Sequence, residues 1–257
     1  MNTVVVGLGT FGLAISRRLD GRGQPVLGVD TDAQRREFFS EATGRSAFAD
    51  VREIDPSQIA RILVVVRTET QVRHVLQTLA AWRDGPACAA YVMATVSPTF
   101  AREMPAMARA DGAVIEMPLT GGEPAARAGT LVAMAAGTLP QGEKDVLHSF
   151  AERIVEFARP GEPALAKLLN NLTIAYQAAT LAEILKMGSD RGLPAASLLE
   201  VIANGAATSF ISRALLTYND GLLAKDIELL RTAIPEFPQV RIADIQEQFA
   251  AARRLLS

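Results

Sequence analysis

Thr3-Val4-Val5-Val6-Gly7-Leu8-Gly9-Thr10-Phe11-Gly12, the stretch TVVVGLGTFG at residues 3–12, decides the fold. Its β-branched opening reads as a strand, and Leu13 to Leu19 behind it reads as a helix. The glycines between them stand at G-x-G-x-x-G spacing, and each has its own task. Gly7 permits the tight turn, Gly9 lets backbone approach a pyrophosphate, and Gly12 lets helix and strand pack closely. The helix N-terminus then offers unpaired N–H groups and a partial positive charge to that anion. Asp30 follows roughly twenty positions on, at the end of the next expected strand, Pro25 to Val29, where its carboxylate would accept hydrogen bonds from an adenosine ribose. The same charge would repel a 2′-phosphate, so NAD is expected over NADP. Arg35 and Arg36 just downstream keep NADP possible. Gly7, Leu8, Gly9, Thr10, Phe11, Gly12 and Asp30 are the cofactor contacts this pattern predicts.

Outward from this stretch, strand-like and helical segments alternate. Thr31-Asp32 reads as a cap for a helix from Ala33 to Glu41. Ile62 to Val66 is a third strand and Ala89 to Ala94 a fourth, with Ala113 to Met117 and Leu131 to Ala135 as fifth and sixth. Strands that are apolar throughout, rather than alternating, imply burial on both faces, as in a parallel sheet covered by helices. The expected class is α/β, a Rossmann doubly wound parallel sheet domain followed by an all-helical C-terminal domain. The breaker Arg159-Pro160-Gly161-Glu162-Pro163 separates the two, giving domains 1–158 and 159–257. Beyond it Ala164 to Arg191 reads as one helix, with Leu165, Leu168, Leu169, Leu172, Tyr176 and Ala179 at helical spacing and Gly192-Leu193-Pro194 ending it. Ala195 to Ala203 and a helix from Ser209 through Lys225 to Ala233 follow.

The composition narrows the function. A chain of 257 residues suits one large or two modest domains. With 26 basic against 28 acidic side chains it lacks the positive charge that nucleic acid or an anionic membrane demands. Cys88 is the one cysteine, which excludes a disulfide framework and a thiolate zinc site and suits the reducing cytoplasm. His74 and His148 are the only imidazoles, so no metal site is expected. No apolar run approaches the roughly 20 residues of a bilayer span. The opening Met1-Asn2-Thr3-Val4 leads directly into a strand, with no room for a signal peptide.

Two further segments carry chemistry. Thr120-Gly121-Gly122 leaves a strand and can expose consecutive N–H groups and a hydroxyl, a small nest for a carboxylate. A plain glycine-rich turn would read the same way. Lys167 and Asn171 stand four apart in Ala166-Lys167-Leu168-Leu169-Asn170-Asn171, hence on one helical face. A lysine partly withdrawn from water can move a proton near neutral pH. A surface lysine beside capping asparagines would show the same letters.

Taken in order, these elements resemble the β-hydroxyacid dehydrogenase family, the relatives of 3-hydroxyisobutyrate dehydrogenase and of the NAD-binding domain of 6-phosphogluconate dehydrogenase. The resemblance rests on Gly7 to Gly12, Ala94-Thr95-Val96-Ser97-Pro98, Pro118-Leu119-Thr120-Gly121-Gly122 with Gly129-Thr130-Leu131, Lys167 to Asn171, and Lys225-Asp226-Ile227, and it spans Val4 to Leu230. It implies that Lys167 is the catalytic general acid/base and that Asn171 orients the substrate or Lys167. Thr120, Gly121 and Gly122 would hold the substrate carboxylate. Thr95 and Lys225 would lie beside the nicotinamide or the substrate, and Val66, Arg67 and Gln71 against the cofactor. The sequence departs from the family pattern where Arg67 replaces a proline, Thr120 a serine, and Pro163 a glycine. Phe237-Pro238-Gln239 and a short basic helix ending at Ser257 stand in place of a glycine- and aspartate-rich region.

The expected activity is hydride transfer between nicotinamide and a small β-hydroxy acid or semialdehyde. The alternatives are a dinucleotide-binding sensor or scaffold without turnover, and an imine or ketone reductase acting on a natural-product intermediate. The expected partners are a small carboxylate-bearing substrate and a second copy of the chain. A homodimer is expected because alanine and leucine cover much of the circumference of the Ala164 to Arg191 helix.

Overall fold

The computed structural model describes residues 1–108, 112–218 and 220–234 and positions 247, 250, 253 and 254. The elements run β1 Asn2–Val6, α1 Thr10–Gly21, β2 Val26–Val29, α2 Ala33–Thr43, β3 Ala47–Phe48, β4 Ile59–Val64, α3 Glu69–Ala81, β5 Ala89–Val92, α4 Pro98–Glu103 and β6 Ala113–Glu116. They continue through β7 Leu119–Thr120, α5 Gly122–Ala128, β8 Leu131–Ala136, α6 Gln141–Leu147, β9 Ala151–Phe157, α7 Glu162–Ser189, α8 Ala195–Asn204, α9 Phe210–Ala214 and α10 Asp220–Ala233. The chain forms two compact units, Met1–Lys167 and Leu168–Ser257.

In the first unit a six-stranded sheet has the order β3-β2-β1-β4-β5-β6. Every pairing in it is parallel. The chain winds outward from β1 through β2 to β3, then returns past β1 to build β4, β5 and β6. This is the Rossmann doubly wound arrangement, with the winding reversed between β1 and β4. Successive side chains of a strand point to opposite faces, and both faces are covered here. Val5, Leu63 and Tyr91 enter one core with Ile15 and Leu19 of α1. Val4, Val6, Ile62, Val64 and Val92 enter the other with Val72 and Leu76 of α3. Full burial of each such aliphatic side chain is worth about 1.5–3 kcal/mol, which is why apolar runs mark these strands.

The expected sixth strand forms, but not in this sheet. The Met117 N–H still reaches Val92 O at 2.8 Å; Pro118 then has no N–H to continue the ladder. The chain turns into a second sheet of order β7-β8-β9, with β8 antiparallel to β7 and parallel to β9. Leu131, Ala133 and Ala135 of β8 join the Val5 core. Sequence reading did not predict β9, because the exposed Glu152, Arg153 and Glu156 interrupt any apolar run.

Among the described residues everything after Phe157 is helix, turn or loop. α7 ends where Gly192 takes a φ of +80° and Leu193 N–H reaches Gly188 O at 3.0 Å. The helix expected from Ser209 to Ala233 is in fact two, α9 and α10. Ser209 caps α9 through Ser212 N, and the weak helix formers Thr217 and Tyr218 close it by turning back onto Ala214 O. Phe237-Pro238-Gln239 lie outside the described residues, whereas Arg253 and Arg254 of the final basic segment are described and helical. No helix among the described residues is long and apolar enough to cross a membrane. No group of three or more His, Cys, Asp or Glu side chains there could hold a metal ion.

Candidate functional site

The glycine loop joins β1 to α1 at the carboxyl edge of the sheet. A Cβ on Gly7, whose φ is +98°, would lie 2.4 Å from Val65 O, and one on Gly12 would lie 1.9 Å from Gly7 O. Packing alone therefore demands those two glycines. A Cβ on Gly9 would meet nothing within 4 Å. Gly9 is the N-cap of α1 and offers no side-chain hydrogen bond, and the first turn of α1 holds no acidic residue. Open space beside an uncapped helix N-terminus fits a pyrophosphate, so the loop passes the test for a dinucleotide. Thr10 is exposed and Phe11 half-buried beside it.

Asp30 follows β2 directly and its side chain is only 7% exposed. Oδ2 accepts the Leu8 N–H at 2.8 Å and Oδ1 the Asp32 N–H at 3.0 Å. The carboxylate thus fastens the glycine loop to the end of β2. Arg35 Nη1 comes within 3.5 Å of Asp30 Oδ2. Arg36 Nη1 instead donates to the carbonyls of Asp30 at 2.8 Å and Thr31 at 3.0 Å. The cap of α2 is Asp32, which accepts the Gln34 N–H at 2.9 Å.

Val66 and Arg67 follow β4 at the same edge, the first half-buried and the second exposed. Gln71 Oε1 accepts the N–H groups of Arg67 at 2.9 Å and Thr68 at 3.2 Å. With Thr68 it forms a capping box at the start of α3. Its side chain thereby shapes the backbone at Arg67. Thr95, half-buried, leaves the carboxyl edge after β5.

Thr120 closes β7 opposite Val132 of β8. Gly121 and Gly122 follow with φ of +127° and +74°. L-residues with side chains avoid such angles, and a Cβ on Gly121 would also press within 2.7 Å of Ala125 Cβ. The Thr-Gly-Gly turn is thus a fixed backbone shape. Lys167 lies half-buried in α7 and is the last residue of the first unit.

Asn171 lies in the second unit, one helical turn further along α7 and 4% exposed. Its Nδ2 donates to Asp226 Oδ2 at 2.6 Å, and its Oδ1 accepts from Asn170 Nδ2 at 3.2 Å. That pairing fixes which way the Asn171 amide faces. Lys225 Nζ stands 2.8 Å from Asp226 Oδ1, a charge contact without hydrogen-bond alignment. Burial pushes the nearby Tyr218 hydroxyl up to about 12, and the Asp226 charge adds to it.

Within the first unit the structure brings the glycine loop, Asp30, Val66, Arg67, Thr95 and the route into Thr120–Gly122 to one edge of the sheet. Within the second it joins Asn171, Lys225 and Asp226. Sequence reading assigned no role to two buried carboxylates, Asp226 and Glu116. The signal for Glu116 was an acidic residue closing the apolar strand Ala113–Glu116, and for Asp226 a lone acid among the buried positions of α10.

Residues 2–158 match the family model described as the NAD binding domain of 6-phosphogluconate dehydrogenase. Residues 161–237 match that described as NAD-binding of NADP-dependent 3-hydroxyisobutyrate dehydrogenase. A probable 3-hydroxyisobutyrate dehydrogenase of Mycobacterium tuberculosis is 34% identical over 211 residues, which cover 79% of this chain and 69% of that protein. The L-threonate dehydrogenase of Escherichia coli is 26% identical over 213 residues, covering 80% and 70%. Among solved structures, Mycobacterium tuberculosis 3-hydroxyisobutyrate dehydrogenase with L-serine has a TM-score of 0.81 at 22% identity and covers 100% of both chains, a likeness of fold.

Proposed function

Because this chain belongs to the β-hydroxyacid dehydrogenase family and is an NAD(P)-dependent dehydrogenase, we propose that it interconverts a small β-hydroxy acid and its aldehyde or ketone, with NAD preferred. The nicotinamide, when bound, supplies or accepts the hydride. Lys167 gives a proton to the carbonyl oxygen in reduction and takes the hydroxyl proton in oxidation. A lysine at its ordinary pKa is a poor base at neutral pH, and the half-burial of Lys167 supports its use here. The Thr120 hydroxyl and the N–H groups of Gly121 and Gly122 hold the substrate carboxylate. Asn171, its amide fixed by Asp226, orients the substrate or Lys167. Thr95 and Lys225 are each assigned to contact the nicotinamide or the substrate. Val66 and Arg67 border the cofactor, and Gln71 acts through the backbone it caps.

The observation that carries this reading is the placing of the glycine loop, Asp30 and Thr95 together at the carboxyl edge of one parallel sheet, where open α/β sheets bind ligands. The chain works in the cytosol as a homodimer built through its helices, and the exposure of Leu169, Ile184, Met187, Leu193, Val201 and Leu216 supports the assembly.

The test uses 3-hydroxyisobutyrate, L-threonate and L-serine as probe substrates with NAD and NADP. On whichever is oxidised, Lys167→Ala lowers kcat by about 100-fold or more, the scale for a lost general acid/base. Lys167→Arg fares little better, since a guanidinium keeps its proton. NADH affinity by fluorescence titration stays within about twofold, because the pyrophosphate and ribose contacts belong to the glycine loop and Asp30. Near-normal turnover in Lys167→Ala removes the assignment.

A further inference from the structure

Glu116 ends β6 with 2% of its surface exposed. Its two oxygens are both engaged far along the chain. Oε2 accepts the Gly161 N–H at 2.6 Å and Oε1 the Ala164 N–H at 2.6 Å. These are donors from the start of α7, which that helix cannot satisfy internally. The local sequence leaves them to Glu116. Pro163 has no N–H to offer, and the Glu162 N–H goes to Arg159 O at 3.3 Å. Gly161 is held tightly as well, since its φ is +91° and a Cβ there would stand 2.9 Å from Pro98 O and 3.0 Å from Arg102 Nη1.

The arrangement is costly. Burial pushes the Glu116 carboxyl up, against the pull of the Gly161 and Ala164 hydrogen bonds and the Arg102 charge, while the Glu162 charge adds to the rise. A desolvated carboxylate of this kind is retained where it holds other groups in place. What it holds can be read from the chain on either side. Thr120 lies four residues after Glu116, at the end of β7, with only Met117 and Pro118 between the two strands. Lys167 lies three residues after Ala164, on the helical face above the clamped turn.

We propose that Glu116 is a positioning residue: its carboxylate clamps the first turn of α7 to the end of β6 and so holds Lys167 in register with the Thr120–Gly122 turn. The inference rests on the reading of Lys167 as the proton-transfer group. Glu116 itself touches neither substrate nor cofactor and acts through the helix.

The test compares Glu116→Gln with the parent by amide hydrogen exchange and by acetylation with N-hydroxysuccinimidyl acetate. Glutamine keeps the shape but turns an NH2 toward one of the two N–H donors, so one bond is lost. Exchange across residues 161–167 rises by about fivefold or more, the scale of a lost helix cap, while Val4–Val6 of β1 stay protected. Acetylation of Lys167, taken relative to Lys186, changes by about threefold or more. On whichever probe substrate is oxidised, kcat falls by about tenfold with KM and NADH affinity within about twofold, as expected of a misplaced proton donor. Unchanged exchange at 161–167, unchanged Lys167 reactivity, or an equal loss of protection in β1 overturns the clamp. Should Glu116→Gln not fold, Glu116→Asp, one methylene short, is read in the same way. The two failures separate cleanly. Normal turnover in Lys167→Ala removes the proton role and leaves the clamp standing. Unchanged exchange in Glu116→Gln removes the clamp and leaves Lys167 its role.

Discussion

The Arg61 guanidinium meets the Glu143 carboxylate with two parallel bonds, Nε to Oε2 at 2.8 Å and Nη2 to Oε1 at 3.1 Å, across 82 positions of sequence. Tyr91 OH donates to Glu143 Oε2 at 2.9 Å, and Arg61 Nη1 to Thr3 Oγ1 at 3.0 Å. The network ties β1, β4, β5 and α6 together within the first unit. With side chains 12% and 24% exposed, the pair is worth more to keep than a surface bridge, because removing one partner strands a partly desolvated charge. Arg61→Met is expected to cost about 2 kcal/mol at neutral pH by urea denaturation. Burial pushes the Glu143 carboxyl up, but the Arg61 and Tyr91 hydrogen bonds with the Arg61 charge outweigh it and hold it below the usual range. A carboxyl lowered by folding contributes stability above its unfolded pKa and loses it as pH falls through the folded one. The gap between parent and Arg61→Met therefore narrows as pH drops from about 6 to about 3. A constant gap would contradict this account.

Asp30 should decide between cofactors. Its buried carboxylate stands against a 2′-phosphate, whereas Arg35 at 3.5 Å could attract one. Fluorescence titration is expected to give tighter binding of NADH than NADPH. Asp30→Ala should shrink or reverse the preference by about tenfold, the scale of one lost charge-assisted hydrogen bond. Tighter NADPH binding by the parent protein would count against the role given to Asp30.

Gly9 and Gly12 should fail in different ways. An alanine Cβ at Gly12 would collide with Gly7 O, whereas at Gly9 it enters open space with an ordinary φ of −66°. Gly12→Ala is expected to destabilise by about 3 kcal/mol. Gly9→Ala should leave the melting temperature nearly unchanged yet weaken NADH by about tenfold, the added methyl blocking the approach of the pyrophosphate. Equal thermal losses in the two variants would mean that the middle glycine serves the fold.

Thr120→Val keeps the shape of the turn and removes the hydroxyl. KM for a carboxylate substrate is expected to rise by about fivefold or more, with kcat falling less, which is the pattern for lost ground-state binding. A fall in kcat with KM unchanged would move Thr120 from carboxylate binding to the transition state.

The sequence by itself determined the sheet and the loop at its edge. Val4, Val5 and Val6 are buried whichever way they point, so an unbroken apolar run suffices to mark a strand of a covered parallel sheet. Gly12 is fixed by its local clash with Gly7 O and Gly7 by its φ of +98°, and their spacing behind a strand made both legible. Gln71 shows the limit of local reading, because its side chain is engaged in a capping box with Thr68 and accepts the Arg67 N–H, neither of which the sequence reading foresaw. Only the tertiary structure decided that Leu131–Ala136 leaves the main sheet, since strand order depends on where Pro118 turns the chain. It also decided that Asp226 faces Asn171, 55 residues away, and that Glu116 closes on Gly161 and Ala164. A lone carboxylate in a sequence carries no mark of its partner. Its role is set when folding strips it of water and leaves one set of N–H groups within reach to replace what was lost.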